Sequence, residues 1–196
     1  LVQCQLQRHP FGDGKPAVKV LQNLGNMHTP GIENEYCALR AGIARYLPKT
    51  SVQSLDQALK TMPDTAAART DFTALPLVPL DPASTTDIDD AICAESIEDG
   101  WKLSVAIADP SALIGHSSSM TKVIAERGTS HYFHGTAIPM LPASVSKPAA
   151  LAPAENRPAI ICQLTIAATG ETSNASLALG TVCSKAKLSY KEVDGI

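Results

Sequence analysis

The residues most able to do chemistry in this chain are four aspartates within ten positions: Asp81, Asp87, Asp89 and Asp90. Carboxylates at this spacing repel one another, and burying them without partners costs free energy. Apolar residues precede the cluster at 75–80 and follow it at 91–94, which favours a position near the protein interior. A bound cation would relieve the repulsion, whereas a solvated acidic turn would need none. The spacing alone leaves both interpretations open.

The chemistry of the candidate ligands limits which cations could bind. Carboxylate oxygens are hard donors that suit magnesium, manganese or calcium. An EF-hand calcium loop needs glycine at its sixth position and glutamate at its twelfth. Counted from Asp81, these positions hold Thr86 and Ile92, and counted from Asp87 the sixth position is again Ile92. The pattern therefore argues against calcium bound by an EF-hand loop.

The acidic segment also resembles a known signature. Asp81-Pro-Ala-Ser-Thr-Thr-Asp-Ile-Asp-Asp-Ala91 is similar to the motif of the ribonuclease II and ribonuclease R family of exoribonucleases. Further segments resemble motifs of this family in the same order along the chain: Val105–Ser111, Tyr132 with Ile138–Pro142, and Ser184–Tyr190. The resemblance covers roughly residues 20–196, so it is far more specific than a single motif. Ribonuclease R usually has aromatic and acidic residues where this chain has Ser84–Thr86 and Ile88, so the motif is closer to ribonuclease II.

The resemblance implies a role for each residue of the site. Asp81, Asp87 and Asp90 match positions that hold Mg²⁺, and Asp89 matches the aspartate most critical to cleavage, which also lies at the metal. Tyr132 matches a tyrosine that stacks on a base near the 3′ end of the RNA. The implied activity is processive 3′→5′ degradation of single-stranded RNA to nucleoside 5′-monophosphates, with no action expected on DNA. Divalent ions held by carboxylates can activate water and compensate charge in such a hydrolysis.

The resemblance also implies that this chain is incomplete. An arginine, a glutamate, an aromatic clamp and the C-terminal RNA-binding barrel would come from a portion beyond Ile196, and a first cold-shock-like barrel would precede the chain. We therefore expect the remaining portion of the same polypeptide to be a partner, and the chain to be inactive alone. Two alternatives stay open: a catalytically inactive homologue that binds RNA or a protein, and a non-enzymatic module for calcium or a structural metal.

Composition places the chain among globular proteins. Hydrophobic residues make up 44% of it and aromatic residues 4%, and the formal net charge is −3. A basic surplus is the usual mark of an autonomous nucleic-acid binder, so the charge does not by itself indicate RNA binding. The five cysteines have no CxxC spacing, which argues against zinc or a disulfide framework. Scattered cysteines of this kind are expected to be reduced, mostly buried thiols of a cytoplasmic protein. The chain has no apolar run long enough for a membrane span, and its first residues lack the pattern of a secretory signal.

The elements that must position the acidic segment alternate between strands and short helices. A hairpin is predicted from Val2–Arg8 and Ala17–Leu24, and an antiparallel pair from 91–95 and 101–108. Later strands are predicted at 157–168, 175–182 and 184–190. Helices are predicted at 32–46, 54–60 and 119–127, and a surface loop or short helix at 144–154.

This order of elements predicts an α+β fold with a mixed or antiparallel sheet and short helices. The expected domains are 1–30, the end of a cold-shock-like barrel by the resemblance; 31–68, a helical connector; and 69–196, the first part of the catalytic domain. Asp109, directly after a predicted strand, is expected to have a structural capping role.

Overall fold

The computed structural model describes residues 1–9, 11, 14–60, 69–115 and 118–195. Part of the turn between the two strands of the first predicted hairpin, and residues 61–68 of the connector predicted at 31–68, lie outside the described residues. The domain limits at 30/31 and 68/69 remain predictions. The chain forms two compact units, Leu1–Pro48 with Ala125–Met140, and Lys49–Ile124 with Leu141–Ile196.

The elements follow one another as predicted for an α+β chain. The strands are β1 (Val2–Arg8), β2 (Ala17–Asn23), β3 (Thr70–Asp71), β4 (Asp90–Ile97), β5 (Gly100–Ala108), β6 (His131–Phe133), β7 (Thr136–Ile138), β8 (Asn156–Ala167) and β9 (Thr172–Cys183). The helices are α1 (Ile32–Arg40), α2 (Lys49–Leu59), α3 (Ser111–Ile114), α4 (Ser118–Arg127), α5 (Ala143–Ala149) and α6 (Tyr190–Val193). The predicted fold class, a mixed sheet with short helices, is confirmed, and the described residues contain no closed barrel.

The first unit contains two antiparallel hairpins, β1–β2 and β6–β7. The predicted hairpin at the start of the chain is confirmed, and its residues are exposed on both faces. Helix α1 was expected to continue to Tyr46 but ends at Arg40. Gly42 adopts a left-handed conformation, with φ of 72°, and Ile43 N–H donates to the carbonyl of Ala38. This glycine-based cap ends the helix.

The second unit is built on a five-stranded sheet in the order β3-β9-β8-β5-β4. Strand β3 runs parallel to β9, and the other neighbours are antiparallel. Successive side chains of a strand point to opposite faces. One face carries the buried core, and the other carries exposed apolar side chains that include Trp101, Ile107, Leu177 and Leu179.

The buried face of the sheet holds the main core. Leu77, Leu151, Ile161 and Val182 are almost fully buried there. Burial of each such side chain stabilises the fold by about 1.5–3 kcal/mol. A smaller apolar cluster in the same unit joins α2, α3, α4 and α5 through four side chains: Leu55, Ile114, Met120 and Val145. The main core includes Leu77 and Ile88, and it therefore fixes the segment that leads into β4.

Two predicted segments differ from the structure. Residues 184–190 were expected to continue the sheet, but they form single bridges, Pro153 with Ser184 and Leu80 with Leu188, before α6 begins. Ser189 and Glu192 form a reciprocal capping box, which favours a helix start over a strand. Segment 144–154 was expected to be a surface loop or short helix; it contains the short helix α5, but residues 149–151 are buried. These residues are small or apolar, so they pack well beneath the sheet.

No helix in the described ranges is long and apolar enough to cross a membrane.

Candidate functional site

The acidic segment lies in an irregular loop between two anchored ends. At its start, Asp81 N–H donates to the carbonyl of Leu188 at 3.1 Å, and Leu188 N–H donates to Pro79 at 3.0 Å. Proline lacks an N–H and cannot complete a ladder of strand bonds, so Pro79 and Pro82 keep the loop out of regular sheet. The chain therefore enters the acidic cluster through an irregular segment.

The far end of the loop is held by the sheet and the core. The carbonyl of Asp89 accepts from Ala108 N–H at 2.8 Å, and that of Ile88 accepts from Leu151 N–H at 2.9 Å. Ile88 and Ala91 are buried, at 5% and 0% exposure. These two apolar anchors fix the backbone on either side of Asp89, while its carboxylate stays accessible to solvent.

The structure brings the four predicted carboxylates into one electrostatic neighbourhood. Burial raises the pKa of Asp89 first, and the charges of Asp87, Asp90 and Asp81 raise it further, in that order. Asp81 is half-buried, and the other three are exposed. The site is thus a negative centre at the mouth of the loop, attractive to a cation.

A divalent metal can be judged against this donor set. All four groups offer hard oxygens, the ligands that Mg²⁺ and Mn²⁺ prefer. Within the described ranges, no three His, Cys, Asp or Glu side chains stand close enough together to hold a metal ion as they are. The chemistry of the donors fits a hard cation, and rotation of exposed carboxylates on a fixed backbone would be needed to surround it. The assignment of these four residues as metal ligands stays a prediction.

Tyr132, the predicted base-stacking residue, lies on β6 in the first unit, whereas the acidic loop belongs to the second. Its side chain is 77% exposed. The hairpin beneath it is well held: Arg127 donates to the carbonyls of Pro139 and Ala44, and Ser130 Oγ accepts from Met140 N–H at 2.9 Å. An exposed aromatic ring on an ordered hairpin is a suitable stacking platform.

The same unit contains a pocket that sequence analysis did not predict. Its volume is about 510 Å³, and its lining includes the start of α1, Arg45, Tyr46 and the β6–β7 turn at 134–136. The guanidinium carbon of Arg45 lies 5.5 Å from the centroid of the Tyr46 ring, and Arg45 also pairs with Glu35. Glu35 stands ten positions before Arg45 with no local motif between them, so the sequence does not indicate this pair.

Two other side-chain interactions in the second unit were also not predicted from the sequence. Lys187 Nζ donates to the carbonyl oxygens of Ala83 and Thr85, within the loop itself. Arg69 forms a buried ion pair with Asp109. The structural role expected for Asp109 is observed, since its carboxylate accepts from the backbone N–H of Ser111 at 3.1 Å. The partners are 40 to 104 residues apart, so no sequence spacing could have revealed them.

Comparison with known proteins identifies a family that part of this chain matches. Residues 69–196 match the family described as RNB domain. Ribonuclease R of Acidithiobacillus ferrooxidans is 33% identical over 198 residues, covering 100% of this chain and 45% of that protein. Exoribonuclease 2 of Escherichia fergusonii is 44% identical over 135 residues, covering 67% of this chain and 21% of that protein.

A solved structure shares the fold as well. The structure described as Mycoplasma genitalium RNase R in complex with double-stranded RNA superposes with a TM-score of 0.87 at 29% identity. The match covers 98% of this chain and 35% of that one. The chain therefore spans less than half the length of each of these proteins.

Proposed function

The chain belongs to the RNB-domain family of ribonucleases, and from this premise we propose that it forms part of a 3′→5′ exoribonuclease. The substrate we propose is single-stranded RNA, degraded processively to nucleoside 5′-monophosphates. The observation that carries the proposal is the acidic loop, in which the charges of Asp81, Asp87 and Asp90 all act on Asp89. A metal-dependent site for RNA hydrolysis needs such a concentration of negative charge, because the carboxylates bind the cations that offset phosphate charge.

The proposed roles follow from position and chemistry. Asp81, Asp87, Asp89 and Asp90 would hold Mg²⁺, or Mn²⁺ in its place. When bound, such ions activate water and stabilise charge on the phosphate and the leaving oxygen. Burial and the three neighbouring charges raise the pKa of Asp89, and its backbone is fixed by Ala108, so we assign it the critical position. A carboxylate on a rigid support loses little entropy when it binds a ligand.

RNA contact is proposed for the exposed ring of Tyr132. Stacking on an aromatic ring is tolerant of base identity, as required of an enzyme that must pass every nucleotide. An RNase R relative was solved with double-stranded RNA, which supports RNA as the ligand class. A cytoplasmic location and the absence of action on DNA remain predictions.

The proposal is tested with the polypeptide that contains this chain. A 5′-labelled single-stranded RNA of about 20 nucleotides is incubated with Mg²⁺, and the products are separated by length and by the position of their phosphate. We expect shortening from the 3′ end, nucleoside 5′-monophosphates as products, loss of activity with a chelator, and no cleavage of the same sequence as DNA. Products bearing 3′-phosphates, or undiminished cleavage in the chelator, would contradict the proposal.

The alternative of an inactive RNA-binding homologue is separated by one substitution. Asp89→Asn keeps the size of the side chain and removes its charge. An enzyme should lose turnover by at least about a hundredfold while RNA binding persists. If parent and variant bind RNA equally and neither cleaves it in the full-length polypeptide, the inactive homologue is the better description.

A further inference from the structure

The acidic loop has a cation of its own at its centre. Lys187 Nζ lies 2.5 Å from the carbonyl oxygen of Thr85 and 3.3 Å from that of Ala83. Both carbonyls belong to the turn between Asp81 and Asp87. The turn also contains a backbone hydrogen bond from Thr85 N–H to the carbonyl of Pro82 at 3.0 Å.

The surroundings of Lys187 hold its side chain against the acidic loop. Its side chain is half-buried, and the next residue, Leu188, bonds through its backbone to both Pro79 and Asp81. The base of the lysine is thus fixed against the start of the loop, while its ammonium reaches the middle. Hydrogen bonds from a charged donor are about twice as strong as neutral ones.

The ammonium acts on the backbone of the loop. The charges that influence the pKa of Asp89 are those of three aspartates. Lys187 touches carbonyl oxygens that no strand partner occupies, at the point where prolines prevent regular sheet. A loop with four like charges favours open conformations, and a fixed donor at its centre opposes that tendency.

We propose that Lys187 is a positioning residue for the acidic loop. It holds the turn at 82–85 so that Asp81 and Asp87, on either side of it, stay near Asp89 and Asp90 before any cation binds. The loop then loses less conformational freedom when a divalent cation arrives, which strengthens binding. This inference rests on the proposed metal-dependent function.

The chain contains a matched control for this proposal. Lys185 lies two residues earlier in the same segment, and its Nζ donates to the carbonyl of Thr73 at 2.6 Å. It has the same chemistry as Lys187, but its acceptor is outside the acidic loop. Lys187→Met and Lys185→Met remove the same charge and the same number of donors, and Lys187→Arg restores a donor at the loop.

Two measurements on the full chain test the role of Lys187. Hydrogen exchange by mass spectrometry follows the backbone of 83–87 in metal-free protein, and calorimetric titration follows Mn²⁺ binding. For Lys187→Met we expect exchange at 83–87 at least about fivefold faster and Mn²⁺ affinity about tenfold lower, the usual effect of losing an outer contact. Lys187→Arg should recover most of both, and Lys185→Met should match the parent in both.

The outcomes separate this inference from the proposed function. Parent-like exchange and affinity in Lys187→Met, with the parent binding Mn²⁺, would overturn the role of Lys187 alone. Equal changes in Lys185→Met would overturn it too, since they would show a general charge effect. If the parent does not bind Mn²⁺, the proposed metal site fails, and the role given to Lys187 towards the metal fails with it.

Discussion

The carboxylate of Asp109 lies 2.5 Å from the guanidinium of Arg69, and their side chains are only 5% and 8% exposed. Arg69 also donates to the carbonyls of Ala159 and Gly180, so the pair joins the ends of three strands. Asp109 directly follows Ala108, whose N–H donates to the acidic loop. The ion pair therefore connects the inner strands β5, β8 and β9, and β5 in turn supports the acidic loop.

Removing the buried carboxylate should destabilise the second unit strongly. Asp109→Asn leaves the Arg69 charge buried without its partner, which typically costs about 3–5 kcal/mol. Glu155→Gln is the matched control, because Glu155 pairs with Arg157 but is 56% exposed. Exposed pairs contribute about 0–1 kcal/mol. Urea denaturation of both variants measures the difference, and equal losses would show that burial does not govern the strength of the Arg69 pair.

The same carboxylate should make stability depend on acid. Burial alone would raise the pKa of Asp109, but hydrogen bonds from Ser111 and Arg69 and the charge of Arg69 outweigh it and lower the pKa below 3.8. A lowered folded-state pKa gives stability that is complete above the unfolded value and is lost as pH falls through the folded value. The stability gap between parent and Asp109→Asn should therefore narrow as pH falls below about 4. A gap constant from pH 7 to pH 2 would contradict this sign.

In metal-free protein, the ionised carboxylate of Asp89 should destabilise the fold, whereas that of Asp109 stabilises it. Its pKa is raised by burial and by three neighbouring carboxylates, so its ionisation opposes folding once pH exceeds 3.8. Asp89→Asn should raise the free energy of unfolding at pH 7, by less than about 1 kcal/mol because the group is exposed and screened. The gain should disappear near pH 3, where the parent carboxyl is protonated in both states.

Thermal unfolding of parent and Asp89→Asn, with and without Mg²⁺, measures both the stability gain of the variant and the effect of the metal. Mg²⁺ should stabilise the parent and have little effect on Asp89→Asn, since bound ligand stabilises only the state that binds it. Asp99→Asn, in the exposed turn between β4 and β5, is the control for loss of one negative charge. A similar gain in Asp99→Asn would attribute the effect to net charge.

Local patterns accounted for much of this fold. The pairing of β4 with β5 follows from alternating residues on either side of the turn at 98–100. The start of α6 was missed, although Ser189 and Glu192 carry its capping signal. The strand pattern before it dominated the interpretation. The four aspartates were recognisable because they are adjacent in sequence.

What the sequence could not reveal are contacts between distant segments. In the sequence, nothing distinguishes Lys187 from a surface lysine, because its hydrogen-bond acceptor Thr85 is 102 residues away. Arg69 and Asp109 likewise meet across 40 residues. Such pairs depend on how strands are ordered in the sheet, and strand order is a tertiary property that periodicity does not encode.

Gly180 should be intolerant of any side chain. A Cβ atom there would lie 2.5 Å from Cδ2 of Phe72 and 3.0 Å from Cγ1 of Ile161. Overpacking of a filled core costs about 1–3 kcal/mol, so Gly180→Ala should lower stability by that amount. Gly195→Ala, where the nearest atom would be 3.5 Å away, is the control. Adding Phe72→Leu should recover part of the loss, and failure to do so would point away from the clash with Phe72.

Tyr132 should contribute to RNA affinity through its ring and not through its hydroxyl. Stacking of a base on an aromatic side chain is worth roughly 1–3 kcal/mol, which corresponds to a loss of about 5- to 150-fold in affinity for Tyr132→Ala. Tyr132→Phe keeps the ring and should bind like the parent. Tyr190→Ala is the matched control, since Tyr190 is also exposed but lies on α6 in the second unit.

Fluorescence anisotropy with labelled oligo(U) and oligo(A) in the full-length polypeptide measures these affinities. Because every base has an aromatic face, the loss in Tyr132→Ala should be similar for both sequences. A loss for one sequence alone would indicate hydrogen-bond recognition of a base edge. A loss in Tyr132→Phe equal to that in Tyr132→Ala would assign the contact to the hydroxyl, and stacking by Tyr132 would then be wrong.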